Sequence, residues 1–301
     1  MEVDSIKEMF LASEEKYGVK YLNYIGDGDS KTFNAILKEN PYGDDNPVTK
    51  NECIGHVAKR MGTRLRNVKK HHKLGGRGKL IEGLIKKISL YYGLAIRRNI
   101  NSVEDMKNAI LATYYHMIST DENPRHEYCP LGVDSWCKWN KAEASGIDPS
   151  SLKHPAPMHK DIQEHVFPIF ENLSNDDLLQ RCLGGHTQNA NESFNATIWR
   201  IAPKHLNSGL KITEIAAYLA AGIFNEGFSS ILRVMQQLEL TIGTYCMSFA
   251  NKRDEIRVSQ EEHRSHSASK KARKARTDRL LTQNALFEEA EGLLYGAGIA
   301  D

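Results

Sequence analysis

The sequence has no long apolar run, almost no net charge and few cysteines. Its 301 residues carry a formal net charge of +2 at pH 7 and five cysteines, an odd number at wide spacings. This cysteine usage argues against a disulfide framework, and the opening residues MEVDSIKEMF do not form a basic and apolar leader, so we expect a reducing compartment. The most apolar run, 215–224, is too short to cross a membrane. We therefore expect no membrane partner and predict a buried helix there.

The hydrophobic content of 40% is sufficient for a core. Helical spacing at 4–17 is followed by an alternating, strand-like run at 19–25, a second helical run at 32–39 and a short strand at 48–54. This alternation of helix and strand predicts an α/β arrangement with parallel strand pairing.

A short acidic turn lies between the first predicted strand and the helix that follows it. Asp27 and Asp29 alternate there with Gly26 and Gly28, and the glycines allow a sharp turn and close approach of a ligand. Carboxylates at the carboxyl end of a strand are well placed to bind metal ions. An ordinary turn with Asp29 or Ser30 as the helix cap explains the same residues, so this stretch alone leaves both interpretations open.

The segment 57–98 is strongly basic. Thirteen lysines and arginines face one acid, Glu82, across two predicted helices that break at Gly75-Gly76. A solvated helix face is the alternative, but the imbalance favours contact with a phosphate backbone. The predicted nucleic-acid-binding residues are Lys59, Arg60, Arg64, Arg66, Lys69, Lys70 and Lys73.

The segment 101–180 is predicted to be helical, with one irregular loop that contains candidate zinc ligands. These are His126, Cys129 and Cys137, with His154 or His159 as a further option. The Cys129 to Cys137 spacing fits no common zinc finger, so buried thiols packed by Trp136 and Trp139 are favoured over a zinc site.

Two further segments complete the chain. The stretch 213–247, rich in Ala, Ile and Leu, is predicted to be a long helical block of the core. The polar stretch 248–278 ends in Lys270, Lys271, Arg273, Lys274 and Arg276, which predicts a disordered or singly helical basic arm suited to nuclear import or nucleic-acid adhesion. We therefore expect a nuclear protein.

Three sequence pieces, YIGDGDSK, KNECIGHVAKRMGTRLR and HTQNANESFNATIWRIAPK, occur in this order along the chain. Together they resemble the transposases of Mutator-like elements, which are DDE enzymes with an RNase H-like catalytic domain, and HEYCPLGVDSWCKW resembles their animal members. The resemblance implies that Asp27 is the second catalytic acid, that Glu192 is the third, and that Cys53 and His56 form the Cys-x-x-His motif. Asp29 is the alternative metal ligand or a helix cap.

The resemblance implies a metal-dependent reaction on DNA. Asp27, Asp29 and Glu192 would bind Mg²⁺ or Mn²⁺ for phosphodiester cleavage and strand transfer. DNA is then the partner, no small-molecule substrate is needed, and a homo-oligomer is an open option.

The implied fold is an α/β, RNase H-like core with a large all-helical insertion, mostly helical overall. Its expected parts are 1–73 for the first section of the core, 74–180 for the insertion, 181–250 for the rest of the core and 251–301 for a basic, partly disordered tail.

In the family the first catalytic Asp lies on an early strand, ahead of the helix at which this sequence begins. We therefore expect an incomplete sheet that lacks the first three strands, as in a truncated or degenerate transposase. Such a chain would bind metal weakly and would not cut DNA by itself. The alternative is a non-catalytic nucleic-acid-binding protein derived from a transposase.

Overall fold

The computed structural model describes residues 2–26, 30–76 and 79–266. The chain divides into two compact units, with the boundary between Gln188 and Asn189.

Helices dominate the first unit. Its elements are α1 (Glu2–Tyr17), β1 (Asn23–Gly26), α2 (Ser30–Glu39), β2 (Thr49–Glu52), α3 (Ile54–His71), α4 (Glu82–Arg98), α5 (Val103–Ile118), α6 (Lys138–Ala144), α7 (Lys160–Leu173) and α8 (Asp176–Gln180). The predicted helix, strand, helix, strand order and the helix break at Gly75-Gly76 are both confirmed. The strands are shorter than predicted, because β1 begins at Asn23 and β2 spans only four residues.

The two strands pair in parallel, with Asn23 opposite Thr49 and Gly26 opposite Glu52. They form the only sheet among the described residues. The mostly helical character is thus confirmed, whereas the RNase H-like core stays a prediction.

The main core of the first unit lies between α3, α4, α5, α7 and α8. On α3 the side chains of Val57, Met61 and Leu65 recur once per turn and are fully buried, so this stripe faces the core while the charged residues lie on the other side. Tyr92 of α4 is also fully buried, and its hydroxyl donates a 2.9 Å hydrogen bond to the carbonyl of Leu173 at the end of α7.

The second unit contains α9 (Asn189–Ile201), α10 (Leu210–Glu226), α11 (Ser229–Gln237) and α12 (Thr244–Ser265). The helical block predicted over 213–247 consists of α10, α11 and the start of α12. Gly227, with φ of 82°, ends α10, and residues 238–243 separate α11 from α12. The predicted burial of 215–224 is wrong, because Ile215 and Tyr218 are 53% and 72% exposed.

The end of α12 covers part of the predicted basic arm, and the residues from Lys270 to Arg276 lie outside the described residues. Within the described ranges, no helix has the length and apolar character needed to cross a membrane.

Candidate functional site

The carboxyl ends of β1 and β2 lie at the same edge of the parallel sheet. Gly26 pairs with Glu52 at this edge, α2 starts at Ser30, and α3 starts at Ile54. The predicted acidic turn lies between β1 and α2 along the chain. Asp27 and Asp29 themselves lie outside the described residues. The structure thus describes the residues on both sides of this segment. The assignment of Asp27 rather than Asp29 as the metal ligand stays a prediction.

A segment from far along the chain returns to this edge of the sheet. The amide of Glu52 donates to the carbonyl of Arg181 at 2.8 Å, and the amide of Ile54 donates to the carbonyl of His186 at 3.0 Å. The side-chain amide of Gln188 donates to the carbonyl of Ile25 at 2.9 Å. Residues 181–188 therefore satisfy backbone groups that a two-stranded sheet would otherwise leave unpaired.

Glu52 lies at the same edge of the sheet and carries a buried carboxylate. Its role was not predicted from the sequence. Glu52 is 2% exposed, and its Oε2 lies 2.6 Å from Nη2 of Arg60. Its Oε1 lies 3.6 Å from Nε of Arg181, a buried nitrogen that lacks a hydrogen-bond partner among the described residues. Two guanidinium groups thus balance one buried negative charge, which makes Glu52 a structural carboxylate. Its position eight residues before Arg60, across a strand-to-helix junction, leaves no periodic signal in the sequence.

Cys53 and His56 lie at the start of α3. Cys53 is the N-cap residue and is 2% exposed, and its carbonyl accepts a 2.9 Å hydrogen bond from the amide of the half-buried His56. Neither side chain belongs to a group of three or more candidate metal ligands among the described residues. The motif therefore stands at the junction between β2 and α3, next to the edge that carries the acidic turn.

Glu192 lies in the first turn of α9, in the second unit, and its side chain is exposed. The same helix buries Ile198 and half-buries Phe194, whereas Trp199 is 37% exposed. A carboxylate in the first turn of a helix is also favoured by the helix dipole. The pairing of Glu192 with Asp27 as metal ligands stays a prediction.

The seven predicted nucleic-acid-binding residues all follow His56, on α3 or just after it. Arg60 is bound to buried Glu52, and Arg66 donates from Nε and Nη2 to Glu82 at 3.1 and 2.7 Å. Arg64 donates to the side chain of Asn172. The lysines differ in exposure: Lys69 is half-buried, whereas Lys59, Lys70 and Lys73 are exposed. Nucleic-acid contact stays a prediction.

A separate cluster of two histidines and two cysteines lies where the loop after α5 meets α6. Its members are His116, His126, Cys129 and Cys137, and their candidate ligand atoms all lie within 4.8 Å of one another. Sequence reasoning found the last three but missed His116, which lies in the last turn of α5. Helical periodicity gives no reason to connect a residue of α5 with ligands in the following loop, so only the fold could reveal it.

The two thiols of the cluster differ in proton affinity. The hydrogen bond from Cys129, together with His116, lowers the pKa of Cys137 to about 3. The same contact and burial raise the pKa of Cys129 far above the usual range of a thiol. Burial lowers the pKa of His126, which favours a neutral ring. These shifts favour the thiolate form of Cys137 and the neutral form of His126.

One family model, described as Mutator-like transposase, matches residues 1–137. The match includes the acidic turn, Cys53 and His56, the basic α3 and all four members of the cysteine and histidine cluster, whereas Glu192 lies beyond it. No curated protein and no solved structure matches the chain. Over residues 1–137, the chain is therefore similar to the Mutator-like transposase family.

Proposed function

We propose that this protein acts on DNA as a Mutator-like transposase, in the nucleus, with Asp27 and Glu192 as ligands of Mg²⁺ or Mn²⁺. The family match over residues 1–137 is the observation that carries the proposal. Support comes from the sheet, because β1 ends at Gly26 directly before the acidic turn, and from the parallel register that brings the end of β2 beside it.

The carboxylates of the predicted acidic turn are of the kind that a hard divalent cation binds. Asp27 and Asp29 supply carboxylate oxygens, which Mg²⁺ and Mn²⁺ prefer. Such ions, when bound, activate a water or 3′-hydroxyl and stabilise the leaving oxygen in phosphodiester chemistry. Glu52 is not a candidate ligand, because Arg60 and Arg181 already balance its charge.

The family pattern contains one more aspartate, on a strand. Neither β1 nor β2, the strands of the described part of the chain, contains an aspartate. We therefore propose that this chain binds DNA and metal but does not complete cleavage without a further carboxylate.

The cleavage test uses the full chain with Mn²⁺ and nicked or branched DNA. We expect no cleavage by the chain alone, and cutting that is lost in Asp27→Asn would overturn this part of the proposal. Asp45→Asn and Glu214→Gln, which change exposed acids elsewhere, are matched controls for Asp27→Asn and Glu192→Gln. Metal titration should show weaker Mn²⁺ binding in the two site variants and unchanged binding in the two controls.

A second candidate function is nucleic-acid binding without catalysis, and the basic segment from α3 to α4 favours it. The exposed Lys70 and Lys73 would contact phosphates at the end of α3. In Lys70→Gln/Lys73→Gln we expect weaker DNA binding and a salt slope that is shallower by about 0.9 for each lost phosphate contact. The control Lys16→Gln/Lys38→Gln removes two exposed lysines from α1 and α2. Equal loss in both variants would contradict a specific role for α3.

The two candidate functions differ in the role that they give to Asp27 and Glu192. If the protein only binds nucleic acid, Asp27→Asn and Glu192→Gln leave both DNA affinity and Mn²⁺ affinity unchanged. If it retains the transposase site, they weaken Mn²⁺ binding while salt-dependent DNA binding persists.

A further inference from the structure

We propose that His116, His126, Cys129 and Cys137 form a structural zinc site. The site is distinct from the carboxylates of the sheet edge, and it does not depend on whether the protein cuts DNA. Its ligand atoms are Nδ1 of both histidines and Sγ of both cysteines. The distance between the two nitrogens is 3.3 Å, and the four nitrogen to sulfur distances are 3.4, 3.7, 3.9 and 3.9 Å.

These distances agree with a tetrahedron around one ion. Zinc bonds of usual length to sulfur and nitrogen require about 3.3 Å between two nitrogens and about 3.6 Å between nitrogen and sulfur. The measured nitrogen pair matches the first value, and the four mixed distances lie within a few tenths of an ångström of the second. Packed thiols, the interpretation favoured by the sequence, do not require four polar atoms to converge on one point.

A hydrogen-bond chain behind His126 favours the tautomer that a metal ligand needs. Asp121 accepts from Nδ1 of His154 at 2.7 Å and also from the backbone amide of His154 at 2.7 Å. Nε2 of His154 then lies 2.8 Å from Nε2 of His126, while Ser119 Oγ lies 3.1 Å from that same nitrogen. With the proton of His154 on Nδ1, its Nε2 accepts from His126, so the lone pair of His126 is on Nδ1, towards the cluster.

The ligand types and their burial select zinc and a structural role. Two thiolates and two imidazoles are the donors of structural zinc sites and are too soft for Mg²⁺. His126, Cys129 and Cys137 are buried, and four protein ligands leave no open position for a substrate or water. The ion would join three parts of the first unit: the last turn of α5, the loop after it and the N-cap of α6. The loop between α5 and α6 is long and has no regular structure, and a bound ion would fix its conformation.

The first test measures metal in the full chain as purified without chelator. We expect one zinc per chain by mass spectrometry of the metal content. Cys129→Ser and Cys137→Ser should each reduce the zinc content to near zero, whereas Cys182→Ser, which changes a fully buried thiol outside the cluster, should retain it. Zinc that persists in the Cys129→Ser/Cys137→Ser double variant would overturn the assignment.

The second test starts with the wild-type chain, so its main result does not depend on whether a variant folds. Co²⁺ added to the metal-depleted wild-type chain should bind at one equivalent, with the visible absorption of tetrahedral cobalt and thiolate charge transfer. His116→Asn should lose this spectrum, whereas the exposed His159→Asn should keep it. His154→Gln should retain the stoichiometry but bind about 10–100-fold more weakly, because it supports the ligand His126 without being one. Absence of any bound zinc or cobalt, or a Cys129–Cys137 disulfide in the purified protein, would refute the proposal.

Measurements of zinc content distinguish the zinc site from the proposed function. Asp27→Asn and Glu192→Gln should leave zinc content unchanged, and Cys137→Ser should leave the carboxylate ligands of the sheet edge intact. A negative zinc result therefore leaves the transposase proposal standing, and the reverse also holds.

Discussion

Glu52 provides a direct test of how charge is balanced at the sheet edge. Glu52→Gln removes a carboxylate with 3% side-chain exposure and leaves two arginines facing a neutral amide. Removing one partner of a buried ion pair costs about 3–5 kcal/mol. The side chains of Arg60 and Arg181 keep 28% and 36% exposure, so water recovers part of this cost, and we expect about 2–3 kcal/mol. For a unit of this size the melting temperature should fall by about 4–12 °C.

A double-mutant cycle isolates the pair from other effects of each substitution. The cycle combines Glu52→Gln with Arg60→Gln, and the matched control combines Glu82→Gln with Arg66→Gln. Both pairs join a glutamate to an arginine of α3, but the control pair has side-chain exposures of 45% and 52%. We expect a coupling of at least about 1.5 kcal/mol for the buried pair and about 0.2–1 kcal/mol for the exposed pair.

The free energy of unfolding of the first unit alone can be measured by hydrogen exchange of the slowest amides in α3 and α4. The reasoning is refuted if the two couplings are equal. The cycle also informs DNA studies, because Arg60→Gln should act mainly on stability, whereas Lys70→Gln should act on DNA binding without loss of stability.

Two further substitutions, one in each unit, test how individual groups contribute to stability. Tyr92→Phe removes the hydroxyl that donates to the Leu173 carbonyl and leaves a buried acceptor unpaired, so the free energy of unfolding should fall by about 1–2 kcal/mol. Tyr91→Phe, at a 42% exposed neighbour, should change it little, and equal effects in hydrogen exchange would contradict the role of the buried hydroxyl. Gly227→Ala places a Cβ against the Asp254 carboxylate at a φ of 82°, so the second unit should lose about 1–3 kcal/mol in denaturant unfolding. Gly243→Ala, at a φ of −76° with open space around it, is the control and should be nearly neutral.

Local sequence signals predicted the elements that depend on local physics. The helix at the amino terminus, the strand before the acidic turn and the break at Gly75-Gly76 follow from periodicity and turn residues, and the structure confirms them. Within the segment 101–180, which is predicted to be helical, α7 spans Lys160–Leu173. Its fully buried Ile162, Val166 and Phe170 recur at helical spacing, which explains the success.

The failures concern information that is not local. The apolar run 215–224 has the composition of a buried helix, but Ile215 and Tyr218 of α10 are exposed, which composition alone does not indicate. His116 lies on an ordinary helix, and only the fold places it beside Cys129. Likewise, the strand sequence that contains Glu52 does not indicate that Arg181 will approach it from the far end of the unit.

The segment 181–188 has a consequence for the order of folding. Its bonds to Glu52, Ile54 and Ile25 join residues separated by more than a hundred positions, and the helices α3 to α8 lie between them in the chain. Closing such a long loop costs entropy that is recovered only once the intervening helices have packed. The edge that carries the acidic turn should therefore be the last part of the first unit to form. A chain still being synthesised would then have no completed edge until residue 188 had emerged, which would delay any metal or DNA chemistry at that edge until folding was complete.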